Sequence, residues 1–264
     1  MRKAICFGGV VPSWSLDQRM KLCAHAGYDG IEINQPGSDD EARELKAAAD
    51  KHGLVIHGII CDGLWRLPLS SRDEDTRRQG LELAERALHM CRMVGADGVL
   101  VVPAVVDTDT HYRSAWELSM GSCKHLHVVA KRLGVQVWIE NVWNRFLYSP
   151  VEFAQFVDEV AEGSGHVGAY FDVGNVMAFG YPQDWIRILN ERIKRIHVKD
   201  FIVDKHSFVY LFEGDVPWAE IRSVLSEVGY DSYITAELPP YRVAPDQMVE
   251  DTAQHIDRII RREV

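Results

Sequence analysis

Cysteine is scarce in this chain, with five residues in 264, scattered and odd in number, and no C-x-x-C pair among them. That argues against a disulfide scaffold and for reduced thiols in a cytoplasmic protein. Long apolar runs are missing as well. No stretch reaches the ~18 residues that a membrane span requires, and the opening MRKAICFGGVVPSW interrupts its short apolar run with Gly and Pro, which makes a poor secretory leader. Basic residues are in deficit, 29 Lys and Arg against 39 Asp and Glu, for a net charge of −10. A nucleic-acid partner needs clustered positive charge, so a small polar ligand suits this balance better. The stretch FGGVVPSW after the first apolar run is not G-x-G-x-x-G, which removes the usual dinucleotide fingerprint. No Pro-, Ser- or Gly-rich linker divides the chain, so residues 1–264 read as one domain.

Against these absences stands a repeat. Eight short apolar runs recur: 3–8, 30–34, 54–61, 98–103, 135–141, 167–172, 193–200 and 233–238. Each is followed by a longer stretch with helical patterning, and Gly27, Gly53, Gly95, Gly134 and Gly229 stand where left-handed helix caps belong. Alternating strands and helices imply a parallel sheet with right-handed crossovers. Eight units in about 250 residues match a closed (β/α)8 barrel better than an open doubly wound sheet.

In such a barrel the chemistry lies at the C-terminal ends of the strands. The run VQVWIEN places Glu140 at the end of a strand covered on two faces. A buried carboxylate is costly unless it is paired or bound to a metal. Scanning the other strand ends adds Glu32, His57, Asp172, His197, Asp200 and Glu237. Glu140, Asp172, His197 and Glu237 are expected to converge from four adjacent strands. Three carboxylates and one imidazole suit a hard or borderline divalent ion, Mn2+ first, with Co2+, Mg2+ or Zn2+ as substitutes.

The motifs WIENVWNRF, YFDVGNVMAFGYP, RIHVKDF, FEGDVPW and TAEL together resemble the xylose-isomerase-like barrels grouped as sugar phosphate isomerases and epimerases, including ketose 3-epimerases. The resemblance spans essentially the whole chain. It implies that Glu140, Asp172, His197 and Glu237 bind the metal and that Glu140 and Glu237 exchange a proton on opposite faces of a ketose or ketose phosphate, through a metal-bound enediolate. It also implies a homo-oligomer. Elimination from a keto-sugar, as in an inosose dehydratase or a keto-glycoside-cleaving enzyme, starts from the same proton removal and is the alternative; a non-catalytic sugar-binding subunit is a further one. Two positions depart from the epimerase pattern: Asn175 replaces the His of D-x-x-H, and Val203 replaces an Arg six residues after His197. The first replacement also argues against the trinuclear zinc endonuclease branch.

Around this centre, His57, Trp14, Asn175, Trp143, Lys199 and Phe7 are expected to touch substrate, with Trp65 and Phe179 as further rim aromatics. For Lys199 a surface ion pair is the competing expectation. Asp200 is read as a support or capping residue one turn past His197, and Asn141 as a support for the orientation of Glu140.

Overall fold

Continuous apolar runs form strands here because helices cover one face of each and the barrel interior covers the other. The computed structural model describes residues 1–264. Strands β1 (Arg2–Cys6), β2 (Gly30–Asn34), β3 (Val55–Ile60), β4 (Gly98–Val101), β5 (Gln136–Glu140), β6 (Val167–Asp172) and β7 (Ile193–Val198) follow in order around the barrel. A further strand, β10 (Tyr233–Ala236), lies between β7 and β1 and closes the sheet, with every pairing parallel. The helices outside are α1 (Leu16–His25), α2 (Asp39–Lys51), α3 (Glu74–Val94), α4 (Tyr112–Leu133), α5 (Pro150–Ala161), α7 (Pro182–Leu189), α8 (Trp218–Glu227) and α9 (Pro245–Arg261). The expected (β/α)8 barrel is therefore present. No helix is long and apolar enough to cross a membrane, and all five cysteines are buried and unpaired.

Two elements have no counterpart in the sequence reading. A single-turn helix, α6 (Val173–Val176), follows β6 directly, and an antiparallel hairpin of β8 (Asp200–Ile202) and β9 (Ser207–Val209) follows β7. The run 193–200 is thus two strands, with Lys199 between them. Helix α7 stops at Leu189, where Asn190 takes a positive φ of 48°. All five glycines expected as caps do adopt positive φ.

The main core, 71 buried residues, lies between the strands and the helices, whereas a separate cluster of Leu100, Trp138 and Tyr170 fills the barrel interior. The Trp138 indole occupies that space because two strand glycines yield it. A Cβ on Gly98 would stand 2.5 Å from Trp138 Cε2, and one on Gly58 would stand 3.0 Å from Trp138 Cζ3.

Candidate metal centre and active site

Strand register brings the site together. Asp172 on β6 is level with His197 on β7, His197 with Thr235 on β10, and Glu140 on β5 with Tyr170 on β6. Glu140 and Asp172 end their strands, and Glu237 lies one residue past β10. One donor atom from each of Glu140, Asp172, His197 and Glu237 lies within 4.8 Å of the others. His197 Nδ1 is 2.9 Å from Glu140 Oε1, 3.8 Å from Asp172 Oδ2 and 3.9 Å from Glu237 Oε2. Three acidic oxygens thus surround one ring nitrogen.

The other ring nitrogen faces a carboxylate that the sequence reading named only as one of several at strand ends. His197 Nε2 donates to Glu32 Oε2 at 2.7 Å, and Cys6 Sγ donates to the same oxygen at 3.5 Å. Glu32 is wholly buried, and its Oε1 has no hydrogen-bond partner. The signal was available in GIEIN: an acid at the centre of an otherwise apolar strand needs a partner, just as Glu140 does. With Nε2 held by Glu32, it is Nδ1 that points into the cluster of acids, the arrangement in which a carboxylate orients a metal-ligating histidine.

Lys199 is the cation this cluster draws in. Its ammonium donates to Asp172 Oδ2 at 2.6 Å and to Glu237, and the side chain is buried, so the surface ion pair expected for it is corrected to an internal one. The electrostatics of the three acids then diverge. Burial, opposed by His197, raises Glu140 to about 7, and burial also raises Asp172. Burial pushes Glu237 up as well, but the charges of Lys199 and His197 outweigh it and hold this carboxyl well below its ordinary value. For Lys199 burial alone would lower the pKa, yet Asp172 and Glu237 carry it above the ordinary lysine range. The donor set fits a divalent cation: three convergent carboxylates and an oriented imidazole hold more negative charge than one ammonium neutralises.

The remaining expected positions fall into three groups. Trp143, Asn175 and Lys199 line a cavity of about 360 Å³ that opens above Glu140 and Glu237. Asn175 Nδ2 donates to the backbone oxygen of Asn141, while Asn141 exchanges hydrogen bonds with the backbone of Asp172 in both directions. Asn141 therefore fixes Asp172 rather than Glu140. Asp200 accepts from the backbone N–H of Phe201, Phe212 and Val216 and from Trp218 Nε1, so it caps the hairpin and the loop after it rather than supporting the cluster. His57, Phe7 and Trp14 are corrections. His57 lies fully buried in β3, stacked on Tyr233 at 4.4 Å and bonded to Thr235, below the site because its position is mid-strand rather than strand-end. Phe7 is buried beneath the Arg19 guanidinium, and Trp14 stands exposed in the loop before α1, so neither lines a cavity at the cluster. Phe179 packs on Tyr148 and Trp185.

Residues 20–259 match the family described as xylose isomerase-like TIM barrels. The chain belongs to that family. Within it, the chain is similar to the 2-oxo-tetronate isomerase of Haemophilus influenzae, 25% identical over 235 residues that cover 84% of this chain and 87% of that one. Among solved structures, a D-tagatose 3-epimerase-like protein superposes with a TM-score of 0.82 at 18% identity, covering 100% of this chain and 99% of the other. The 3-keto-D-glucoside 4-epimerase of Escherichia coli superposes with a TM-score of 0.81 at 17% identity and covers 98% of both chains. Members of this xylose isomerase-like group thus share the barrel from end to end.

Proposed function

We propose that this protein is a divalent-metal-dependent sugar isomerase or epimerase, and that its favoured reaction inverts the carbon next to the carbonyl of a keto-sugar, C3 in a ketose. The observation that carries the reading is the placement of two glutamates at the ends of one arc. Glu140 stands on β5 and Glu237 follows β10, with Asp172 and His197 between them. Glu140, Asp172, His197 and Glu237 would hold the ion, Mn2+ or a close substitute. Bound there, it would supply a Lewis acid for the substrate oxygens.

The protein's own groups account for the proton. One glutamate removes it from the carbon on one face, and the other returns it to the opposite face, so the centre inverts. Lys199, already against Asp172 and Glu237, places an ammonium where negative charge develops on the enediolate oxygens. Asn141 and Asn175 hold the turn after β6, so Asp172 does not drift when the substrate enters. The similarity to an isomerase and to epimerases of sugars supports this class of chemistry.

The test is exchange in deuterated water with manganese-loaded protein and a panel of free and phosphorylated ketoses, followed by NMR. Deuterium at C3 with a new epimer is the expected result. Label at C1 or C2 redirects the assignment to aldose–ketose isomerisation, and loss of a neighbouring substituent redirects it to elimination. A chain that binds metal but exchanges no carbon-bound proton overturns the proposal.

A further inference from the structure

Asp172 has one oxygen to give. Its Oδ1 accepts from Asn175 N at 2.7 Å, and its Oδ2 accepts from the Lys199 ammonium at 2.6 Å while standing 3.8 Å from His197 Nδ1. Glu237 repeats the pattern: Oε2, the oxygen 3.9 Å from His197 Nδ1, is also the one that Lys199 holds. The carboxylate oxygens that converge on the histidine nitrogen are therefore the same atoms that an ammonium already claims. A divalent ion on those oxygens would stand beside that ammonium in a buried site, where like charges are poorly screened. One cation has to yield.

Lys199 is built to yield. Its stem is fixed, since a Cβ on Gly174 would stand 2.6 Å from Lys199 Cγ and 2.8 Å from Lys199 O, so α6 carries a glycine where the lysine presses against it. Beyond Cγ the side chain is a flexible tether ending in a compact point charge, with no planar fork to hold it in one geometry. That end lies at the wall shared by two cavities, one of about 590 Å³ and one of about 360 Å³. The Phe208 ring centroid is 5.0 Å from Nζ, which offers the ammonium an aromatic face on the cavity side. A dication among Glu140, Asp172 and Glu237 would also cancel most of the negative charge that holds the ammonium in place.

We infer that Lys199 and the divalent ion compete for Asp172 Oδ2 and Glu237 Oε2, so that metal entry turns the ammonium out into the cavity, toward Phe208. Lys199 then faces substrate only in the metal-loaded protein, and its charge sets how tightly metal is held. This rests on the metal-dependent reading given above. The experiment titrates manganese chloride by calorimetry into the parent and into Lys199→Met, which keeps the stem and drops the charge. The variant is expected to bind manganese about 10-fold or more tightly than the parent. Unchanged or weaker binding by the folded variant overturns the inference. The parent protein gives a second reading that needs no variant: acetic anhydride at limiting dose, with peptide mass mapping, is expected to acetylate Lys199 about 10-fold faster with saturating manganese than with EDTA, relative to the exposed Lys205. Equal or slower labelling overturns the inference whether or not Lys199→Met folds. Deuterium exchange by the parent with the ketose panel reads the sugar chemistry separately. Tighter binding and faster labelling without carbon-bound exchange remove the epimerase reading alone, exchange without them removes the competition alone, and a parent that binds no manganese removes both.

Discussion

The barrel buries charge at both ends, and the two ends treat it differently. Toward the N-terminal ends of the strands, Arg195 is buried with its guanidinium 4.4 Å from the Trp138 ring, and it donates to Lys194 O, Ser232 Oγ and the half-exposed Asp97. His57 on Tyr233 completes that layer. Charge there is closed off by aromatic faces and matched one to one. At the C-terminal ends, Glu32, Glu140, Asp172 and Glu237 crowd one imidazole and one ammonium, under a cavity open to solvent. The difference teaches that burial of an ionisable group does not mark a working site; a surplus of one sign beneath an opening does.

Substitutions can break that contrast. The largest effect is expected from Glu140→Gln, which should lower turnover about 1,000-fold or more while leaving the thermal midpoint unchanged or higher, because it removes a buried acid from a crowd of acids. Steady-state kinetics and a melting curve on the same sample check both halves. Arg195→Ala at the opposite end should do the reverse, destabilising the fold by about 3 kcal/mol through the lost ion pair and stacking, with turnover of the folded fraction within about threefold of the parent. Denaturant unfolding measures the loss; a large drop in turnover at full folding would dissolve the contrast between the ends.

Glu32→Gln sharpens the comparison, since Glu32 is as buried as any residue of the lower layer yet orients His197. Its expected signature is about 10-fold weaker manganese binding by calorimetry with an unchanged melting curve of the apo-protein; unaltered affinity would return Glu32 to the structural layer. The smallest effect is expected from Asp200→Asn, about 1 kcal/mol, seen as faster amide hydrogen exchange at Phe201, Phe212 and Val216.

Periodicity carried the barrel, because a run apolar on every position and followed by a helix-patterned stretch admits few other architectures. Strand ends were legible to within a few residues, and two of the eight runs, 30–34 and 167–172, coincide with β2 and β6. The hairpin was not legible, because DFIV and SFVY differ little from the end of a longer strand, and only the Asp200 hydrogen bonds reveal the bend. Within the site, residue type at a strand end located the four convergent side chains. It misplaced His57, since position along β3 and not residue type decides which layer a side chain enters. It undervalued Glu32 and Lys199 because their partners, His197 and the pair Asp172 and Glu237, come from strands far away in sequence.

The hairpin after β7 is joined to the rest of its loop by two acids, Asp200 and Asp215, while its second strand supplies Phe208 and Val209 to the cavity wall. Wall and foundation are thereby separable. A lineage could exchange residues 201–211 for a longer or more polar insert and acquire a new ligand, with Glu140 on β5 and Glu237 just past β10 left untouched by the change.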